Sequence, residues 1–152
     1  MSMRRLAAGL LAVLLVLLPA CNPAPQEFAI CLAEGDVGAP VISMEDIVSY
    51  TWATHEIRLT EAAFARILAL QVPVRGLPFV ARVDGSQVYA GAFWTPISSM
   101  SSDGVVIMFP LGAQDPVIRI ELGYPGSGFF SGADPRFNPR VRAALARAGK
   151  LR

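Results

Sequence analysis

Histidine and cysteine are almost missing from this sequence, which has one of the former and two of the latter in 152 residues. That scarcity leaves no Cys-x-x-Cys redox pair and no zinc-type spacing of ligands, so neither metal nor cofactor is expected. Nor does any glycine-rich stretch have the spacing of a Walker or dinucleotide loop. Gly126-Ser127-Gly128 lacks the flanking strand and helix of a nucleophile elbow. The acidic pair Glu45-Asp46 reads as a solvated turn rather than a ligand set. Charged residues make up only 16% of the chain, and nothing after Cys21 is apolar for long enough to span a bilayer.

What is present begins at the N-terminus. Arg4 and Arg5 precede an unbroken apolar run from Leu6 to Ala20, a basic start and apolar stretch of the kind an export machinery reads. The run closes on Leu18-Pro19-Ala20-Cys21, which resembles the lipobox of bacterial lipoproteins, with Pro19 where a small residue is usual. The resemblance implies a signal peptide over 1–20, lipidation of Cys21 and a lipid-anchored spacer over 21–27. It places the protein at the cell membrane or outer membrane, facing the periplasm or extracytoplasmic space. A plain signal peptide is the alternative.

Removing Arg4 and Arg5 from the 13 basic residues leaves eleven against 12 acidic ones, a balance that argues against nucleic acid as a partner. Roughly 130 residues then remain for one domain, 28–152, long enough to build a core of its own. If Cys21 carries lipid, Cys31 is left unpaired and reads as a small buried hydrophobe in a first strand near Phe28, with a mixed disulfide to a partner as the other reading. Arg136, Arg140, Arg142, Arg147, Lys150 and Arg152 crowd the end of the sequence. They read as the solvated face of a final helix, with contact to anionic lipid as the other reading.

Alternation and punctuation give the elements. Ser43 to Asp46 supports a short turn, and strands are predicted over 47–52 and 56–59 around Ala53-Thr54-His55. Thr60 caps a helix that should end near Gln71, before Pro73. Residues 77–83 and 86–92 form a hairpin on Asp84-Gly85, because that dipeptide supplies the positive φ angles of a tight turn. Strands follow over 105–109 and 117–122, then an ordered loop over 123–135. Asn138 caps a last helix, Pro139 fits its first turn, and Gly149 ends it. The fold class is α+β: a small, mostly antiparallel sheet with one or two helices packed on one face.

Candidate site residues are few. His55, at a predicted turn with no nucleophile motif nearby, reads as surface decoration. Aromatics flanked by Gly, Ser and Pro read first as core fillers and second as a binding groove; of these Trp94 and Phe130 are the ones expected to be exposed, and with Pro96 and Phe129 they are the candidate partner-binding residues.

The segment Leu59-Thr60-Glu61-Ala62-Ala63, its helix, and Gly76-Leu77-Pro78-Phe79-Val80-Ala81-Arg82-Val83-Asp84-Gly85-Ser86-Gln87-Val88-Tyr89-Ala90 resemble the head subdomain in the first periplasmic domain of SecD and SecDF translocase subunits. Pro96 and the serine-rich loop to Gly104 fit the same order, so the resemblance covers about 47–107. It implies contact with an extended exported polypeptide or a translocase component. Energy-coupled translocation does not carry over, since that family couples it through membrane helices. The expected function is therefore a non-enzymatic, membrane-anchored interaction module, with binding at an open sheet edge near Trp94. The alternative is a small cell-envelope hydrolase or a glycan-binding or glycan-processing protein, with His55 and a carboxylate such as Glu56 or Asp103 in its site.

Overall fold

The computed structural model describes residues 27–34 and 39–152. The signal segment, Cys21 and nearly all of the spacer lie outside the described residues. The elements run β1 (Phe28–Leu32), β2 (Pro40–Ile42), β3 (Ile47–Thr51), β4 (Glu56–Leu59), α1 (Glu61–Leu68), β5 (Leu77–Val83), β6 (Ser86–Trp94), β7 (Ser102–Met108), β8 (Val117–Tyr124) and α2 (Pro139–Arg147). Short 3-10 turns cover Ser127–Phe129 and Pro135–Phe137. The strands form one eight-stranded sheet in the order β2-β1-β5-β6-β7-β8-β4-β3. Every pairing is antiparallel except β6 with β7. The fold is α+β, as the patterning implies.

The sheet curls until its two ends nearly meet: Phe28 of β1 lies edge-on to Tyr50 of β3, ring centres 6.5 Å apart. Alternation explains what fills the curl. Phe28 and Ile30, Phe79 and Ala81, Phe93, Ile107, Ile120 and Ile57 all turn to the inner face and are fully buried. Both helices add their apolar stripes to this core, Ala63, Phe64 and Ile67 from α1 and Val141, Ala144 and Leu145 from α2. The Thr60 hydroxyl accepts the Ala63 amide, and the Asn138 side chain accepts that of Arg140, so both helices start where their caps dictate. Helix α1 ends at Leu68, short of Gln71. The β5–β6 hairpin turns on Asp84 and Gly85, both at positive φ.

The two free edges of the sheet are each managed. On the outer side of β3, Tyr50 N–H donates to Lys150 O at 2.8 Å, Arg152 N–H to Tyr50 O at 2.8 Å, and Trp52 N–H to Arg152 O at 3.0 Å. The segment after α2 thus lies parallel to β3 and satisfies its backbone. At the other edge β2 has three residues, begins with Pro40, and meets β1 across a bulge. A short, proline-led, bulged strand is a poor template for another chain.

Candidate functional site

Two aromatic clusters lie on different sides of the sheet. The first is built on the β3–β4 turn. His55 holds a left-handed φ of 53° there and is 1% exposed, so it is not on the surface as its turn position suggested. Its Nδ1 lies 3.0 Å from the Tyr50 hydroxyl. The rings of Trp52 and Phe137 close around it, with centres at 5.7 and 4.6 Å. Phe137 belongs to the 3-10 turn after Asp134, whose carboxylate holds the Arg136 guanidinium through two bonds of 2.9 and 2.7 Å. Arg136 also donates to Ile120 O at 2.9 Å, which pins the turn against β8.

Electrostatics follow from that geometry. Burial, with the Arg136 charge adding to it, holds the His55 imidazole below its ordinary value, while Asp134 opposes the shift. The paired guanidinium keeps the Asp134 carboxyl low. Burial pushes both Tyr50 and Tyr89 up, so neither phenol ionises at neutral pH. His55 Nε2 and the Tyr89 hydroxyl are buried without a partner among the described residues.

The carboxylates suggested as partners for His55 are not hydrogen-bonded to it. Glu56 is bonded by Thr54 at 2.8 Å and paired with Arg119 at 3.1 Å. Its carboxyl is lowered by the Thr54 hydroxyl first and by Arg119 second. Asp103 offers its carbonyl to Ser131 N–H at 3.1 Å. Among the described residues, no three His, Cys, Asp or Glu side chains gather in a way that could hold a metal ion.

The second cluster is built on Trp94. Strand β6 is flanked by β5 and β7, so Trp94 lies in the middle of the sheet and not at an open edge. The indole is 5% exposed, against the expectation of a solvent-facing ring. It shares the outer face with Ala92 and Val106, opposite Phe93, because neighbouring residues of a strand alternate. The loop 95–101 must carry the chain back so that β7 can pair parallel to β6, and the outer-face side chains Trp94 and Val106 are both buried. Gly76, at φ 85°, is what admits the ring, since a Cβ there would come 2.5 Å from it.

The loop is mounted at several points. Ser98 Oγ donates to Val74 O and accepts Met100 N–H at 3.1 Å. The Tyr124 hydroxyl bonds the carbonyls of Pro96 and Ser98 at 3.2 and 3.3 Å. Around that frame Ile97 is 73% exposed, Val74 54% and Met100 50%, with Pro96 exposed beside them.

The candidate partner-binding residues therefore separate. Pro96 stays on the surface above a buried Trp94, whereas Phe129, exposed, and Phe130, half-buried, sit on the loop that packs against Gly123 at the end of β8. Sequence reasoning missed Val74, Ile97 and Met100. The available signal was three apolar residues in segments dense with Pro, Ser and Gly. Cys31 is buried and has no disulfide partner among the described residues. A groove of about 290 Å³ between β2 and α1 is lined by Leu32, Ala39, Pro40, Val41, Arg66 and Leu70. No described helix is long and apolar enough to cross a membrane.

Comparison of the chain with protein-family models, with curated proteins and with solved structures gave no match.

Proposed function

We propose that this chain is a non-enzymatic binding module of the cell envelope, held to a membrane by lipid on Cys21, which offers the loop 95–101 to a polypeptide partner. The partner class is an extended exported chain or a component of the export machinery, carried by the resemblance of about 47–107 to the translocase head subdomain. The observation that supports a binding role most directly is the exposure of Ile97, Val74 and Met100 around one buried serine. Large apolar side chains held out together on a rigid mount are what an interaction surface needs, because no ordering of the loop is then required on binding. Strand addition is the weaker mode here, since β3 is covered and β2 is short and proline-led.

The test is site-specific photo-crosslinking in the native envelope, with a benzophenone side chain at Ile97 and, as control, at Glu121 on the charged outer surface of β8. Adducts to exported chains or translocase subunits from position 97 and not from 121 support the reading. Equal labelling from both positions sinks it. A parallel Cys21→Ser protein reads the anchor by itself: loss of membrane association and of the lipid mass at the N-terminus is the expected result.

A further inference from the structure

We propose that His55 is a proton-operated latch that holds the Asp134–Phe137 turn and the Lys150–Arg152 segment onto the β3–β4 hairpin. Three connections meet at its ring. Tyr50, whose hydroxyl bonds Nδ1 at 3.0 Å, is the same residue whose backbone N–H and C=O hold Lys150 and Arg152 at 2.8 Å each. Trp52 packs on the ring and donates its own N–H to Arg152 O. Phe137, 52% exposed, is the outer lid of the box.

The neutral ring suits this box and the charged ring does not. A neutral imidazole needs one partner at Nδ1, and Tyr50 supplies it as donor or acceptor according to tautomer. A protonated ring has two N–H groups, and Nε2 has no partner among the described residues. The groups facing the ring offer little relief. Tyr50, from β3, stays a neutral phenol. From the 3-10 turn, Arg136 adds a like charge and Asp134 is already bound to that guanidinium. From β6, Tyr89 is a neutral buried phenol beside Tyr50. Glu56, next in the chain, is committed to Thr54 and Arg119.

Protonation is therefore relieved by letting water in past Phe137 or by moving the ring out. Either movement removes the packing of Phe137, and moving the ring out also breaks the Tyr50 bond, which loosens the support of β3 under the Lys150–Arg152 segment. Opening exposes backbone at the β3 edge that is otherwise paired, so acid would convert a sealed edge into an available one.

The chain has a single histidine, so its ring resonances can be followed without ambiguity in the full-length Cys21→Ser protein. The experiment pairs that NMR titration with hydrogen exchange of the 134–140 and 148–152 peptides between pH 8 and 5, corrected for intrinsic exchange rates. Expected is an opening constant that rises as pH falls below the ordinary imidazole value of 6.5, by at most about tenfold per pH unit, and levels where the ring titrates. In His55→Asn, whose side chain tolerates the left-handed backbone, exchange should be faster at every pH but no longer vary with it. A merely structural histidine would give the first change without the second. The proposal is overturned if wild-type protection in these peptides is flat from pH 8 to 5. It is also overturned if His55→Asn keeps the wild-type pH dependence, or if the ring titrates at a pH where the peptides do not open.

Discussion

The two aromatic clusters are built from similar parts and serve different ends. Each holds a tryptophan and a tyrosine, each clamps a loop onto the sheet, and each leaves one ring nitrogen without a partner, His55 Nε2 in one and Trp94 Nε1 in the other. The difference is one titratable group. The β3–β4 cluster contains an imidazole with charged neighbours, so its hold on the 3-10 turn changes with proton concentration. The Trp94 cluster holds its loop through an indole, a phenol, a serine and a glycine, with no imidazole or carboxylate among them. A surface meant to stay presented is mounted on the second kind of cluster. An edge that can open is mounted on the first.

The largest way to break this comparison is Trp94→Ala, which empties a buried site and should cost about 3–5 kcal/mol in urea unfolding, by about the same amount at pH 7.5 and pH 5.5. A variant that kept wild-type stability would return Trp94 to the surface and take away the mount of the loop. Tyr50→Phe comes next, because it removes the partner of His55 Nδ1 and leaves both ring nitrogens unbonded; a loss of about 1–3 kcal/mol is expected.

Stability against pH sharpens the contrast further. The folded-state value of His55 lies below 6.5, so the unfolded chain takes up the proton first. The contribution of the neutral ring is fully present above 6.5 and is lost as pH falls through the folded value. Asp46 and Asp134 are also lowered, but their contributions fade only in the carboxylate range, well below that window. For Asp46 the Arg66 and Ser43 bonds outweigh a burial that works to raise it. Wild type should thus lose stability between pH 7 and 5 by equilibrium denaturation while His55→Asn does not.

The smallest stability effect belongs to Ile97→Ser, within about 0.5 kcal/mol, since the side chain is mostly in water. Its consequence should fall on partner capture alone. A large stability loss there would place Ile97 inside the fold instead.

Much of the fold was legible in the sequence because its signals are local. Thr60 and Asn138 cap the helices they were expected to cap, and Asp84-Gly85 turns the expected hairpin. Strand β2 was missed since Pro40 reads as loop and three residues are too few to show an alternation of their own. The parallel step from β6 to β7 could not be read either, because strand order is a property of the whole sheet. His55 and Trp94 were misplaced for one shared reason. Turn and loop composition points outward, but segments distant in sequence, 134–137 in one case and Gly76 in the other, fold back to cover them. Phe129 and Pro96 are exposed, whereas Phe130, expected at the surface, is half-buried.

The pairing of Tyr50 with Leu151 also has a meaning in time. Its two partners stand far apart in the chain, a contact of the kind that forms late because the entropy of closing so large a loop must be overcome first. A chain delivered from its N-terminus presents β3 long before the residues that cover it, and through that interval the edge is bare. Whatever meets the nascent domain in that period meets a different molecule from the one in which residues 150–152 have covered β3.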